Sequence, residues 1–177
     1  MYKIIFTGPV GSGKTTAIAA ISDMLPISTD VAASDMTKVR KATTTVALDY
    51  GQIQVEGGEK IHLYGTPGQE RFDFMWDILK TGGIGLILLI DTTRPDPFKD
   101  MRFFLDSFRT FIDDTGVAIG VTQMDLDNRF SIADYCTQLK TLNLNPPVFS
   151  VDARVKKDVS LLVQSLMYSI DPSSKTE

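Results

Sequence analysis

The chain has 177 residues, of which 43% are hydrophobic, and this suits one compact domain with a sizeable core. The formal net charge of −4 gives no electrostatic support for nucleic-acid binding. No apolar run is long enough to cross a bilayer, and the longest, Ile84–Ile90, has the length of a buried strand. We therefore expect a single domain over residues 1–177 with no nucleic-acid partner.

Apolar runs alternate with helical patterns along the chain, which is typical of an α/β sheet wound with crossover helices. The six predicted strands are Tyr2–Thr7, Val46–Val55, Lys60–Tyr64, Ile84–Ile90, Val117–Val121 and Pro147–Ser150. The five predicted helices cover residues 13–25, Gln69–Lys80, Pro97–Ile112, Ser131–Leu142 and Val159–Ile170. The second and third strands predict an antiparallel hairpin, and residues 27–44 predict a long surface loop in which Ile27–Val31 is a candidate edge strand.

The first strand leads into Gly8-Pro9-Val10-Gly11-Ser12-Gly13-Lys14-Thr15, which has the spacing G-x-x-x-x-G-K-[ST] of a phosphate-binding loop. Glycines let the backbone wrap around phosphate oxygens, and the following helix N-terminus adds positive potential. We expect Lys14 to reach the β- and γ-phosphates and the Thr15 hydroxyl to ligate Mg²⁺. The residues expected to contact the nucleotide here are Gly8, Val10, Gly11, Ser12, Gly13, Lys14, Thr15 and Thr16. The motif predicts triphosphate binding without specifying the base or the reaction.

Three further segments follow in an order that resembles Ras- and Rab-type GTPases. The first, Gly65-Thr66-Pro67-Gly68-Gln69-Glu70-Arg71-Phe72, is similar to the D-x-x-G-Q-E-R-F segment of that family. The resemblance implies that the Gly68 N–H senses the γ-phosphate and that Gln69 orients the attacking water. The alternative is that Gln69 is a solvated loop residue, as a lone glutamine beside a glycine usually is.

The second segment, Thr45-Val46-Ala47-Leu48-Asp49-Tyr50, is similar to the T-I-G-V-D-F run of Rab proteins. The resemblance makes Thr45 the second hydroxyl ligand of Mg²⁺ in the triphosphate state. Thr43 and Thr44 adjoin it, so the assignment can shift by one position. The alternative is that these β-branched residues simply begin a strand.

The third segment, Thr122-Gln123-Met124-Asp125, lies where the family carries N-K-x-D. The Asp125 carboxylate would accept hydrogen bonds from the guanine N1–H and 2-amino group, which adenine lacks. Thr122 and Gln123 depart from the pattern, although Gln123 can still lay its stem and amide over the base. The alternative is that Asp125 is an ordinary loop residue at the end of a strand. Ser150-Val151-Asp152-Ala153-Arg154 lies where the family has S-A-K, which implies nucleotide contacts from the Ala153 N–H and from Arg154.

Two positions depart from the family in ways that bear on chemistry. Gly65 replaces the aspartate that holds Mg²⁺ through a water, and Asp49 or Asp91 is a candidate replacement. We favour Asp49, because the hairpin would bring its strand beside Gly65, although either acid can be an ordinary strand-end residue. Val10 stands where many Ras-like proteins have glycine, and its side chain would crowd Gln69. This predicts slow intrinsic hydrolysis and a need for an activating partner.

The chain resembles the prokaryotic branch of Ras-like small GTPases, similar to the family of the gliding-motility protein MglA. This resemblance rests on the non-Asp residue Gly65 before T-P-G-Q, the Asp152-Ala153-Arg154 base loop and the missing lipid signals. The resemblance implies an α/β P-loop NTPase, a Ras-like G domain with a mostly parallel six-stranded sheet and helices on both faces. It also implies a Mg²⁺-dependent molecular switch that hydrolyses GTP to GDP and phosphate, with Lys14 and Gln69 as catalytic residues. The alternatives are a GTP-dependent scaffold with negligible hydrolysis and a P-loop kinase.

The resemblance further implies GTPase-activating and effector proteins as partners, with a roadblock-type protein as a candidate activator. Tyr2 excludes N-myristoylation, and the ending Ser-Ser-Lys-Thr-Glu lacks a prenylation cysteine. We therefore expect a cytoplasmic protein with no direct membrane anchor.

Overall fold

The computed structural model describes residues 2–25, 27–28, 49–67 and 73–171. The strands in this part of the chain are β1 Tyr2–Thr7, β2 Ile27–Ser28, β3 Asp49–Gln54, β4 Lys60–Gly65, β5 Gly85–Asp91, β6 Val117–Thr122 and β7 Val148–Val151. The helices are α1 Lys14–Ile21, α2 Asp73–Lys80, α3 Pro97–Ser107, α4 Arg109–Asp114, α5 Ile132–Thr141 and α6 Lys156–Ile170.

All described strands belong to one sheet with the order β2-β3-β4-β1-β5-β6-β7. β3 runs antiparallel to β2 and β4, while β4, β1, β5, β6 and β7 pair in parallel. This arrangement confirms the predicted mostly parallel α/β sheet, whose six predicted strands are all present. The two-residue β2 falls within the candidate edge strand 27–31 and raises the count among the described residues to seven.

The central strands are buried on both faces, so they are continuously apolar rather than alternating. β5 is buried at every one of its seven positions. Its alternate side chains enter two cores: Leu86, Leu88 and Ile90 pack on the face that carries Trp76 and Phe104. Ile87 and Leu89 pack on the other face against α1 and α6, which contribute Ile18 and Leu162. Helices therefore cover both faces of the sheet, as predicted.

The predicted helix over Pro97–Ile112 is wrong in one respect, because the structure divides it into α3 and α4 at Phe108. Phe108 is fully buried and its backbone leaves the helical region, with φ −104° and ψ 10°. The Ser107 hydroxyl donates to the Phe103 carbonyl at 2.8 Å, a bond that often bends helices. Apolar periodicity continues through this bend, which is why the sequence pattern does not reveal it.

The parallel topology places the carboxyl ends of β1, β4, β5, β6 and β7 along one edge of the sheet. In open α/β sheets, ligands bind in the crevice outside this edge. The segments that follow these strands include residues 8–13, 122–125 and 152–155, so the fold brings three separately predicted segments to one side. No helix within the described ranges is long and apolar enough to cross a membrane.

Candidate nucleotide-binding site

The loop between β1 and α1 depends on glycines at three positions with positive φ. Gly8, Gly11 and Gly13 have φ values of 144°, 79° and 102°, which side-chain-bearing residues rarely adopt. A Cβ on Gly8 would lie 2.1 Å from the Leu89 carbonyl oxygen, and one on Gly13 would lie 2.9 Å from the Ala153 Cβ. The loop therefore packs directly against β5 and against the segment after β7.

Lys14 begins α1 and lies almost entirely inside the loop, with 8% of its surface exposed. Its Nζ donates to the Gly8 and Pro9 carbonyl oxygens, each at 2.8 Å. A buried ammonium group requires such partners, since its desolvation is costly. The two bonds place the Lys14 charge within the curve of the loop, where a phosphate-binding lysine has to act.

The Thr15 hydroxyl donates to Asp49 Oδ2 at 2.5 Å. Asp49 is the first residue of β3, is 9% exposed and lies opposite Gly65 in the β3–β4 pair. Asp91, the other candidate acid, accepts from the Thr93 N–H at 2.8 Å and the Thr93 hydroxyl at 2.6 Å. The structure thus joins Asp49 to the predicted metal ligand Thr15, whereas these two bonds of Asp91 lie in the turn after β5.

Thr122 links the end of β6 to the loop. Its hydroxyl lies 3.0 Å from the Ser12 carbonyl oxygen and 3.3 Å from the Ile90 carbonyl oxygen, in fully buried surroundings. The hydroxyl therefore connects three segments at the site. Gln123 follows with φ 62°, a left-handed conformation that turns the chain sharply after the strand.

A cavity of about 550 Å³ opens between the loop and the two segments after β6 and β7. This volume falls within the range of small-molecule sites, roughly 300–1,000 Å³. The predicted nucleotide-binding residues that line it are Gly11, Ser12, Gly13, Thr16, Thr122, Gln123, Asp125, Ala153 and Arg154. It is also lined by residues that were not among the predicted nucleotide-binding residues, namely Met124, Leu126, Ser150, Val151, Asp152 and Asp158. Residues more than a hundred positions apart therefore share one cavity.

The wall formed by residues 152–154 is shaped by an ion pair. Arg154 donates to Asp152 from its backbone N–H and Nε at 2.9 and 3.0 Å, and from Nη2 at 2.8 Å. The side-chain hydrogen bond from Arg154, followed by the backbone one, lowers the pKa of Asp152 to about 2. The Asp152 N–H in turn donates to Asp158 Oδ2 at 2.9 Å. Asp152 and Asp158 therefore hold the turn that carries Ala153, a role the sequence pattern did not identify.

Thr45, Gly68 and Gln69 lie outside the described residues, so the second metal ligand and the water-orienting residue stay predictions. Val10 is 57% exposed on the loop. Within the described ranges there is no group of three or more His, Cys, Asp or Glu that could hold a metal. Magnesium bound to nucleotides needs no such group, since one or two protein carboxylates and the phosphates suffice. The Thr15–Asp49 pair has the oxygen chemistry that this ion prefers.

Comparison with known proteins gives both a family and distant relatives. A protein family described as "Conserved hypothetical ATP binding protein" matches residues 6–172. The uncharacterized protein MJ1339 of Methanocaldococcus jannaschii is 30% identical over 92 residues, 52% of each chain. The Ras-related protein RABA5b of Arabidopsis thaliana is 26% identical over 135 residues, which are 76% of this chain and 55% of that protein.

The Ras-related protein RabC of Dictyostelium discoideum is 23% identical over an alignment of 181 positions, which covers 99% of this chain and 86% of that protein. The chain spans about half the length of the first two of these curated relatives. The predicted relationship to Ras-related proteins is thus confirmed as a distant homology. The narrower placement beside MglA stays a prediction.

The Thr122 hydroxyl provides a test of how the site is held together. Thr122→Val keeps the side-chain volume but removes the hydroxyl from two buried carbonyl groups. We expect the free energy of unfolding to fall by about 1–3 kcal/mol, and nucleotide affinity to fall with it. Urea unfolding and nucleotide titration measure the two effects, with Thr122→Ser as the control that keeps the hydroxyl. Equal behaviour of the Val and Ser variants would contradict this role.

Proposed function

This chain belongs to the family described as "Conserved hypothetical ATP binding protein", and within it we propose that the chain is a GTP-binding switch that hydrolyses GTP to GDP and phosphate. The observation that carries the proposal is that the loop and the segments after β6 and β7 line one cavity. The distant homology to Ras-related proteins supports the same conclusion. Cytoplasmic location, effectors and a GTPase-activating partner, with a roadblock-type protein as candidate, belong to this proposal.

The family description names ATP, whereas we propose a preference for guanine. This preference rests on Asp125, which lines the cavity. A carboxylate accepts hydrogen bonds from the guanine N1–H and 2-amino group. Adenine presents an acceptor at N1 and has no 2-amino group, so the same carboxylate would face a lone pair. The Ala153 N–H suits the guanine O6, which is an acceptor, and would oppose the 6-amino group of adenine.

The proposed reaction is attack of water on the γ-phosphorus with cleavage of its bond to the bridging oxygen, which leaves with GDP. Lys14 would exchange its carbonyl partners for phosphate oxygens, while the loop N–H groups hold the phosphates in place. Thr15 and Thr45 would hold Mg²⁺, which when bound would supply positive charge that neutralises the phosphates. Gln69 would orient the water. Segments 27–50 and 65–80 would change conformation when the γ-phosphate is lost.

A second candidate is a GTP-dependent scaffold in which hydrolysis is too slow to matter. Val10 favours it, because this residue is 57% exposed on the loop, at the position where an arginine from an activator would enter. A P-loop kinase ranks lower, because Gln69 and Asp125 have no role in transfer to a small acceptor. Phosphate release that depends on an added acceptor would favour the kinase.

Competition between GDP, GTP, ADP and ATP tests the base preference. We expect guanine nucleotides to bind the wild type far more tightly, and Asp125→Ala to reduce that preference roughly 10- to 100-fold through loss of charged hydrogen bonds. Asp127→Ala is the matched control, since Asp127 lies in the same turn but pairs with Arg129. Equal binding of ATP and GTP by the wild type would show that Asp125 does not select the base.

Single-turnover hydrolysis separates the switch from the scaffold. If Gln69 orients water, Gln69→Leu should slow phosphate release from preloaded GTP roughly tenfold or more while GTP affinity stays near the wild-type value. Both proteins are compared at equal GTP loading, with and without Mg²⁺. Identical rates for the two proteins would favour the scaffold and remove Gln69 from the mechanism.

A further inference from the structure

We propose that Asp49 supplies the magnesium-site carboxylate that Gly65 lacks, so that the ion is held from β3 and not from β4. The inference rests on the proposed function, because it concerns the metal that accompanies the nucleotide. It is carried by three observations: a hydrogen bond, a close approach between two strands and the different engagement of Asp91.

The hydrogen bond joins the Thr15 hydroxyl to Asp49 Oδ2 at 2.5 Å. A hydroxyl group has one hydrogen to donate and two lone pairs that accept. Donation to Asp49 fixes the direction of the hydrogen and leaves the lone pairs of Thr15 available to a cation. In the proposed site, the Asp49 carboxylate would also accept hydrogen bonds from water molecules bound to the same cation. The resemblance to Ras-like GTPases gives this function to an aspartate at the position of Gly65.

The close approach explains why the acid and the glycine occur together. Asp49 and Gly65 are directly opposed in the β3–β4 pair, and side chains of opposed residues project from the same face. A Cβ on Gly65 would lie 3.0 Å from the Asp49 Cβ, 3.1 Å from its Oδ2 and 3.2 Å from Ile18 Cδ1. Two aspartates in this space would crowd each other and repel. The site therefore has room for one carboxylate, which in this chain comes from β3.

Asp91 is the other candidate acid, and its hydrogen bonds serve a different purpose. One of its oxygens, Oδ1, accepts from both the N–H and the hydroxyl of Thr93. These bonds close the turn between β5 and α3. Asp49, in contrast, bonds to the residue that is predicted to ligate the ion.

A metal-site carboxylate on β3 instead of β4 changes which strand is coupled to metal binding. Displacement of the start of β3 would then remove Asp49 from the metal and release the nucleotide. Nucleotide exchange in this chain would accordingly be controlled from the β3 side.

Dissociation of a fluorescent GDP, measured over a range of Mg²⁺ concentrations and in EDTA, tests the proposal without any hydrolysis. We expect Asp49→Asn to need at least tenfold more Mg²⁺ for the same slowing of release, while its rate in EDTA stays near the wild-type rate. Gly65→Asp alone should unfold at lower urea concentration, because its side chain meets Asp49. The double variant Asp49→Gly/Gly65→Asp moves the acid across the strand pair and should recover most of the Mg²⁺ response.

Asp91→Asn is the control and should respond to Mg²⁺ like the wild type. A wild-type Mg²⁺ response in Asp49→Asn would overturn the proposal, as would a folded double variant that recovers none of it. Urea unfolding identifies variants that fail to fold, and Asp49→Glu then provides a second test, since a displaced carboxylate should restore part of the response.

If the wild type retains only adenine nucleotides, the proposed guanine switch fails, and the same titration with fluorescent ADP still tests Asp49. Absence of any Mg²⁺ response in the wild type would contradict both.

Discussion

The organisation of the site depends on how closely the loop after β1 approaches its neighbours. Gly8 lies against the Leu89 carbonyl and Gly13 against Ala153, with no room for a side chain at either position. Because of this contact, the loop that would bind phosphates touches both the central strand β5 and the wall of the cavity formed by residues 152–154. Thr122 strengthens the connection through its hydroxyl and the Ser12 carbonyl. The two halves of the candidate site are therefore parts of one packed unit, and a nucleotide bound there would contact both.

The antiparallel pairing of β3 with β4 adds the second constraint. It sets Asp49 across from Gly65, so that the acid reaches Thr15 from the neighbouring strand. Gly65 departs from the pattern of Ras- and Rab-type GTPases, and the structure gives a physical reason, since the absence of a side chain leaves the space that Asp49 occupies. The same arrangement ties the proposed metal site to the strand that follows residues 29–48. If Asp49 holds the proposed ion, the Thr15–Asp49 hydrogen bond would couple the metal and the nucleotide to the position of β3.

Much of the fold could be predicted from the sequence, because strands such as β5 are continuously apolar and the Gly8–Thr15 spacing is specific. The bend at Phe108 could not, since a buried aromatic residue fits the helical pattern on either side of it. In the site, the positions of Lys14, Thr122 and Ala153 followed from their place after strands. The turn made by Asp152, Arg154 and Asp158 depends on local hydrogen bonds that leave little trace in hydrophobic periodicity. Gln69 and Thr45 lie outside the described residues and stay predictions.

The central claim is that the loop around Gly13 holds the phosphates of a nucleotide, and equilibrium binding of GTP to Gly13→Ala tests it most directly. A Cβ here would meet Ala153 at a backbone φ of 102°, so the loop would have to change shape. Gly57→Ala is the matched control, because Gly57 has φ 96° and open space around it in the hairpin turn. The account predicts at least a tenfold loss of GTP affinity in Gly13→Ala and wild-type affinity in Gly57→Ala. Wild-type GTP affinity in Gly13→Ala would contradict it.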